Sequence, residues 1–139
     1  MANTIDMQDL RYLNLFQKIT RIQTRHVFHY NDAVYFCVPK FLLQQALGRD
    51  VENLRKIGGI IKKRIKIIPI PKNSSHAEHF IKAIISPATF KELEVKGNEI
   101  IVTAGNMQNK AMLLGRNKKR LEEMKNIIQS YFGKEFIVA

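Results

Sequence analysis

The chain has 139 residues, 45% of them hydrophobic, and sets 23 Lys+Arg against 12 Asp+Glu for a formal net charge of +11. That balance favours polyanionic partners over small neutral substrates. No apolar run approaches the roughly 18 residues of a membrane-spanning helix, Met1 to Asp6 lacks a basic signal-like region, and the single Cys37 allows no internal disulfide, so a cytoplasmic setting and no membrane partner are expected.

In chain order, Asp6 or Thr4 is placed to cap a first helix, with Asp9 in its first turn and Leu10, Leu13, Phe16, Ile19 and Ile22 recurring on one face to an end near Thr24. Two β-like segments, 25–30 and 33–38, flank Asn31-Asp32, a pair that tolerates positive φ and predicts a hairpin. Pro39 closes the strand. A short helix through Phe41, Leu42, Leu43 and Ala46 is interrupted by Gly48, a second helix runs from Asp50 to about Lys62, and a strand follows over 64–68.

The stretch Pro71-Lys72-Asn73-Ser74-Ser75 reads as a linker, after which the order begins again. Ser74 or Ser75 is placed to cap a helix through Phe80, Ile81, Ile84 and Ile85. A hairpin turns at Gly97-Asn98, a short helix spans Gln108 to Leu114, Gly115 interrupts it, a longer helix starts at Asn117, and a last strand covers 134–138. With Gly48 laid on Gly115, Leu47 falls on Leu114, Leu54 on Leu121, Ile57 on Met124, Ile60-Ile61 on Ile127-Ile128 and Val34-Tyr35 on Ile101-Val102. Only the last strand slips, by four residues inserted around Tyr131-Phe132-Gly133. The chain therefore reads as two α-β-β-α-α-β halves, 1–71 and 72–139, each near the lower size limit for an independent core, and the halves are expected to pack together.

Charge follows the repeat. Residues 49–66 hold seven Lys/Arg against two acids, and residues 110–125 hold six against two. At the start of the first run and inside the second lies the same helix-Gly-x-Asx-helix turn, Leu47-Gly48-Arg49-Asp50 and Leu114-Gly115-Arg116-Asn117. As a structural device the turn needs a glycine that ends the helix in the left-handed conformation without a Cβ penalty, and an Asx side chain, Asp50 or Asn117, to accept the first N–H groups of the next helix. As a binding device it brings a helix N-terminus and Arg49 or Arg116 to the surface, where a phosphate can meet them.

This turn within an α-β-β-α-α-β order resembles the GxxG loop of the type II KH domain, and two copies of about 70 residues each resemble the tandem KH pair of the short archaeal NusA-like proteins over essentially the whole chain. The resemblance implies an α+β fold of two tandem type II KH domains, each with a three-stranded sheet packed against helices. It implies single-stranded RNA as the ligand. Phosphates would meet Gly48 and Arg49 in one copy and Gly115, Arg116 and Lys118 in the other, with Lys119 and Arg120 reinforcing the field and Asp50 and Asn117 counted among the RNA-binding residues of the two turns. Bases would lie in grooves touching Leu42, Ala46 and Ile65, and Ala111, Leu114 and Phe136. The fourth loop position, glycine in the standard motif, is Val51 and Lys118 here, and a Cβ there narrows the backbone.

The process implied is control of transcription elongation or termination beside RNA polymerase. A ribosomal or ribosome-assembly role, and a degenerate KH pair acting as a protein-interaction module on the polymerase, are the alternatives. No cofactor, metal or enzymatic activity is expected: His26 and His29 point to opposite sides of a strand, His76 and His79 lack further ligands, and Cys37 sits mid-strand among apolar residues without a catalytic set. Tyr12, Phe16, Tyr30 and Phe41 are candidates for stacking on bases, against the simpler reading of aromatics in a core.

Overall fold

The computed structural model describes residues 6–139. They form two compact units that meet in sequence between Ile70 and Pro71, one residue before the expected boundary. Each unit is an α+β fold in which a three-stranded mixed sheet packs against helices.

The first unit comprises α1 (Met7–Thr20), β1 (His26–Tyr30), β2 (Ala33–Val38), a 3-10 turn at Lys40–Leu42 leading into α2 (Leu43–Leu47), then α3 (Glu52–Ile61) and β3 (Arg64–Pro69). Asp6 caps α1, its Oδ1 accepting the Asp9 N–H at 2.7 Å; Thr4 lies outside the described residues. The helix ends at Thr20, four residues before the expected end near Thr24. There the Thr20 hydroxyl donates to the Phe16 carbonyl at 2.7 Å and accepts the Ile22 N–H at 3.1 Å, while Arg21 turns left-handed at φ 63°. Ile22 is buried, but from the extended segment beyond the helix.

The β1–β2 hairpin is antiparallel and closes through Asn31 and Asp32 at φ 51° and 61°, the positive pair that matches strand twist. β3 adds parallel to β2, with Val34 opposite Ile65 and Phe36 opposite Ile67. A parallel return needs a crossover, and α2 and α3 supply it. Val34, Phe36, Val38, Ile65 and Ile67 face the helices and bury Leu13, Phe16, Ala46 and Ile57, with Phe16 stacked on Phe36 at 4.5 Å. The His29 Nε2 to Asp9 Oδ1 contact, 2.8 Å, ties β1 to the first turn of α1.

The second unit repeats the plan: α4 (Ala77–Ile85), β4 (Glu92–Lys96), β5 (Glu99–Thr103), α5 (Met107–Leu114), α6 (Lys119–Phe132) and β6 (Glu135–Val138). Neither Ser74 nor Ser75 caps α4. Asn73 accepts the Ser75 N–H and opens a 3-10 turn, Ser74–His76, that leads into the helix from His76 with no side-chain cap. α5 is capped by Asn106, which accepts the Asn109 N–H at 2.7 Å.

The repeat register holds in the paired helices, where Ile57 and Met124 are both buried. It breaks in the hairpins. The core-facing residues Val34 and Phe36 correspond to Ile100 and Val102, a spacing of 66 (34 to 100, 36 to 102) instead of 67. One residue is thus added before the second turn, and the expected match of Val34-Tyr35 to Ile101-Val102 is off by one. A one-residue slip exchanges the two faces of a strand, so the difference decides which side chains enter the core. The four-residue insertion lengthens the helix itself: α6 has 14 residues where α3 has 10, and Ile65 and Phe136 then occupy equivalent places beside Val34 and Ile100. Among the described residues no helix is long and apolar enough to cross a membrane.

Burial of His26 on β1 lowers its pKa below the ordinary 6.5. The unfolded chain therefore takes up the proton first, and stability should decline as pH falls through about 6.5 and level off below the folded-state pKa. Urea unfolding of the chain and of His26→Gln across that range checks this, because the decline should be smaller in the variant.

Candidate nucleic-acid interface

The two helix-helix turns have the same backbone. Gly48 lies at φ 79°, ψ 175° and Gly115 at φ 73°, ψ 174°, a region open essentially to glycine alone and not the left-handed helical cap expected from sequence. Asp50 (φ 53°) and Asn117 (φ 55°) follow in the left-handed region, and so do Val51 (φ 51°) and Lys118 (φ 59°). Asp50 and Asn117 do not cap the next helix, contrary to expectation: α3 and α6 begin from Val51 and Lys118, with no side-chain cap. Their Asx side chains instead suit the positive φ they adopt.

Internal hydrogen bonds repeat as well. Gly48 N–H donates to the Gln44 carbonyl at 3.0 Å and Val51 N–H to the Gly48 carbonyl at 3.2 Å; Gly115 and Lys118 do the same with the Ala111 and Gly115 carbonyls at 2.9 and 3.1 Å. A side-chain tether closes each turn from the following helix. Asn53 Nδ2 donates to the Gln45 carbonyl at 3.3 Å, and at the matching position Arg120 Nη1 donates to the Met112 carbonyl at 3.2 Å. These bonds satisfy carbonyls at the C-terminal end of the preceding helix. Arg120 is therefore partly buried structural mortar as well as a charge.

With those N–H groups used inside the turn, side chains carry the difference between the two copies. Arg49, Asp50, Val51 and Glu52 present one cation and two acids, and Glu52 also pairs with Lys56 at 3.2 Å. Arg116, Asn117, Lys118 and Lys119 present three cations and no acid, all four exposed. The start of α3 thus matches its helix dipole, whereas the start of α6 places Lys118, Lys119 and Arg120 where a negative charge is favoured. Glu122, with Lys125 4.0 Å away, is the acid of that first turn.

The expected base contacts divide. Ala46 is 0% exposed and Phe136 1%, and Ile65 is buried with them in character, so all three belong to the cores and offer a base no edge to stack on. Leu42 packs against the first core and Leu114 is half-buried, while Ala111 is exposed. Of the aromatic candidates Phe16 and Tyr30 are buried, Tyr12 is half-buried beside His29, and Phe41 stands 84% exposed on the turn before α2. Sequence reasoning missed a depression of about 330 Å³ between α6 and β6, lined by Lys125, Asn126, Gln129, Lys134, Glu135 and Ile137 over the buried Phe136. Its amides and lysines are the donors and acceptors a nucleotide requires. The four-residue insertion signals only part of it in sequence: the extra turn of α6 contributes Gln129, while Lys125 and Asn126 stand where α3 has Gly58 and Gly59. Among the described residues no three His, Cys, Asp or Glu side chains come together as a metal site.

No protein-family model matches the chain, and no curated protein matches it. Among solved structures it is similar to APE1850, known from a crystal structure, at 18% sequence identity and a TM-score of 0.65, over 96% of this chain and 99% of that one. At that identity the likeness is one of fold.

Two stability measurements test the turn. A Cβ on Gly115 would lie 3.0 Å from the Arg120 backbone nitrogen and 2.6 Å from its Cγ, so Gly115→Ala should destabilise by about 2 kcal/mol or more. Val51, β-branched at φ 51°, pays a steric penalty that glycine lacks, and Val51→Gly should gain about 1 kcal/mol in chemical denaturation.

Proposed function

We propose that the chain binds single-stranded RNA through two KH-like units, with the second turn as the principal phosphate clamp. The observation that carries this reading is the cluster Arg116, Lys118 and Lys119 on a fixed turn at the start of α6, where a helix N-terminus and three cations favour an anion. The fold, two mixed sheets each crossed by a helix pair joined through a Gly-x-Asx turn, has the element order of a type II KH domain. The depression along α6 and β6 lies on the same helix as the clamp and offers amide side chains for base edges.

The first unit carries the same turn with the opposite chemistry. Asp50 and Glu52 beside Val51 weaken phosphate binding there, which favours a role for that unit in positioning or in contact with protein. A NusA-like role in transcription elongation or termination, with RNA polymerase as the protein partner, is the process this resemblance supports. Ribosomal RNA is the competing ligand, and crosslinking to cellular RNA separates the two.

Anisotropy with a short unstructured RNA should show affinity falling steeply with salt, and Arg116→Ala with Lys118→Ala should reduce the log–log slope by about 1.4 for two single-strand contacts. Arg49→Ala should change it by less than half as much. Affinity indifferent to salt, or equal losses at both turns, would overturn the assignment of the second turn.

A further inference from the structure

We propose that the face of the β4–β5–β6 sheet turned away from its core docks a cationic protein segment that sets aliphatic side chains against Ile101 and Ile137. The core side of this sheet is fixed by Ile100, Val102 and Phe136, all buried. Strand alternation then puts Glu94, Ile101 and Ile137 in one row across the opposite side, and Lys96, Glu99 and Glu135 in the next. Glu92 extends the same side of β4. Four of the chain's 12 acidic residues thus share one face of three short strands in a protein of net charge +11.

Three observations specify the occupant. Glu99 and Glu135 are neighbours across the parallel β5–β6 pair, with a single cross-strand Lys96 beside Glu99, an arrangement of like charges that costs stability until a cation enters. The acids are not inherited from the repeat: Glu94, Glu99 and Glu135 stand where the first unit has Phe28, Ala33 and Arg64. The half-buried Ile101 and Ile137 at the centre of the patch offer apolar contact that a small cation cannot use. RNA is repelled by such a face, and a symmetric dimer would bring the same four carboxylates against themselves. A basic protein segment with alternating aliphatic side chains satisfies both the charge and the apolar centre.

The test uses the full chain, labelled with ¹⁵N, and a blocked octapeptide of alternating lysine and leucine. Amide shifts are expected at residues 92, 94, 99 and 101. Affinity should fall at least several-fold in Glu94→Gln, Glu99→Gln and Ile101→Ser, none of which lines the α6–β6 depression, while RNA binding is retained. Glu99→Gln should leave the thermal midpoint within about 2 °C, since it removes the Glu135 repulsion and the Lys96 attraction together, which separates lost docking from lost folding. An equally tight lysine–serine peptide would overturn the apolar contact. Shifts at these amides produced by RNA, or a dimer in sedimentation that Glu94→Gln abolishes, would replace the proposed partner with RNA or a second copy of the chain.

Discussion

Both units depend on one backbone constraint, a glycine at φ near 75° and ψ near 175° between two helices, with the next helix packed so closely that a Cβ would strike it. This turn reverses the chain within four residues and so sets the crossover that lets the third strand return parallel to the second. Everything with chemical interest in the turn, the Arg at its second position and the Val or Lys at its fourth, is held by that geometry. The Asn53 and Arg120 tethers hold it from the far side.

Because the backbone is the same twice, the two copies form an internal comparison. The fourth position of the turn is left-handed in both copies, a conformation that favours glycine, yet neither copy has one there. Val51 accepts the strain and presents a methyl surface beside two acids. Lys118 accepts less strain, lacking a β-branch, and presents a charge beside two more cations. A shared scaffold has therefore been given opposite electrostatics, and the same divergence recurs on the sheets, where carboxylates in the second unit replace an aromatic, an alanine and an arginine of the first.

The element order, the hairpin turns at Asn31-Asp32 and Gly97-Asn98, and the two glycine turns were legible in the residues because each rests on local stereochemistry. So was the four-residue insertion. The hairpin register was not, because Val34-Tyr35 and Ile101-Val102 are equally plausible apolar pairs, and only cross-strand pairing with Ile65 and Phe136 decides which member faces the helices. The end of α1 was missed for a similar reason: the apolar period continues through Ile22, while the Thr20 hydroxyl has already taken the Phe16 carbonyl.

Residue order alone was enough for the basic character, the duplicated plan and the place of each turn, since charge, repeat spacing and glycine's freedom are local or additive properties. Tertiary packing decided which side chains remain available. It drew Ala46, Ile65 and Phe136 into the cores, bound Arg120 to a carbonyl, left Asp50 and Asn117 out of their expected capping role, and gathered four glutamates onto one sheet face. The reason is physical: exposure and partnership depend on what the other elements of a unit bring alongside, and no single segment contains that information.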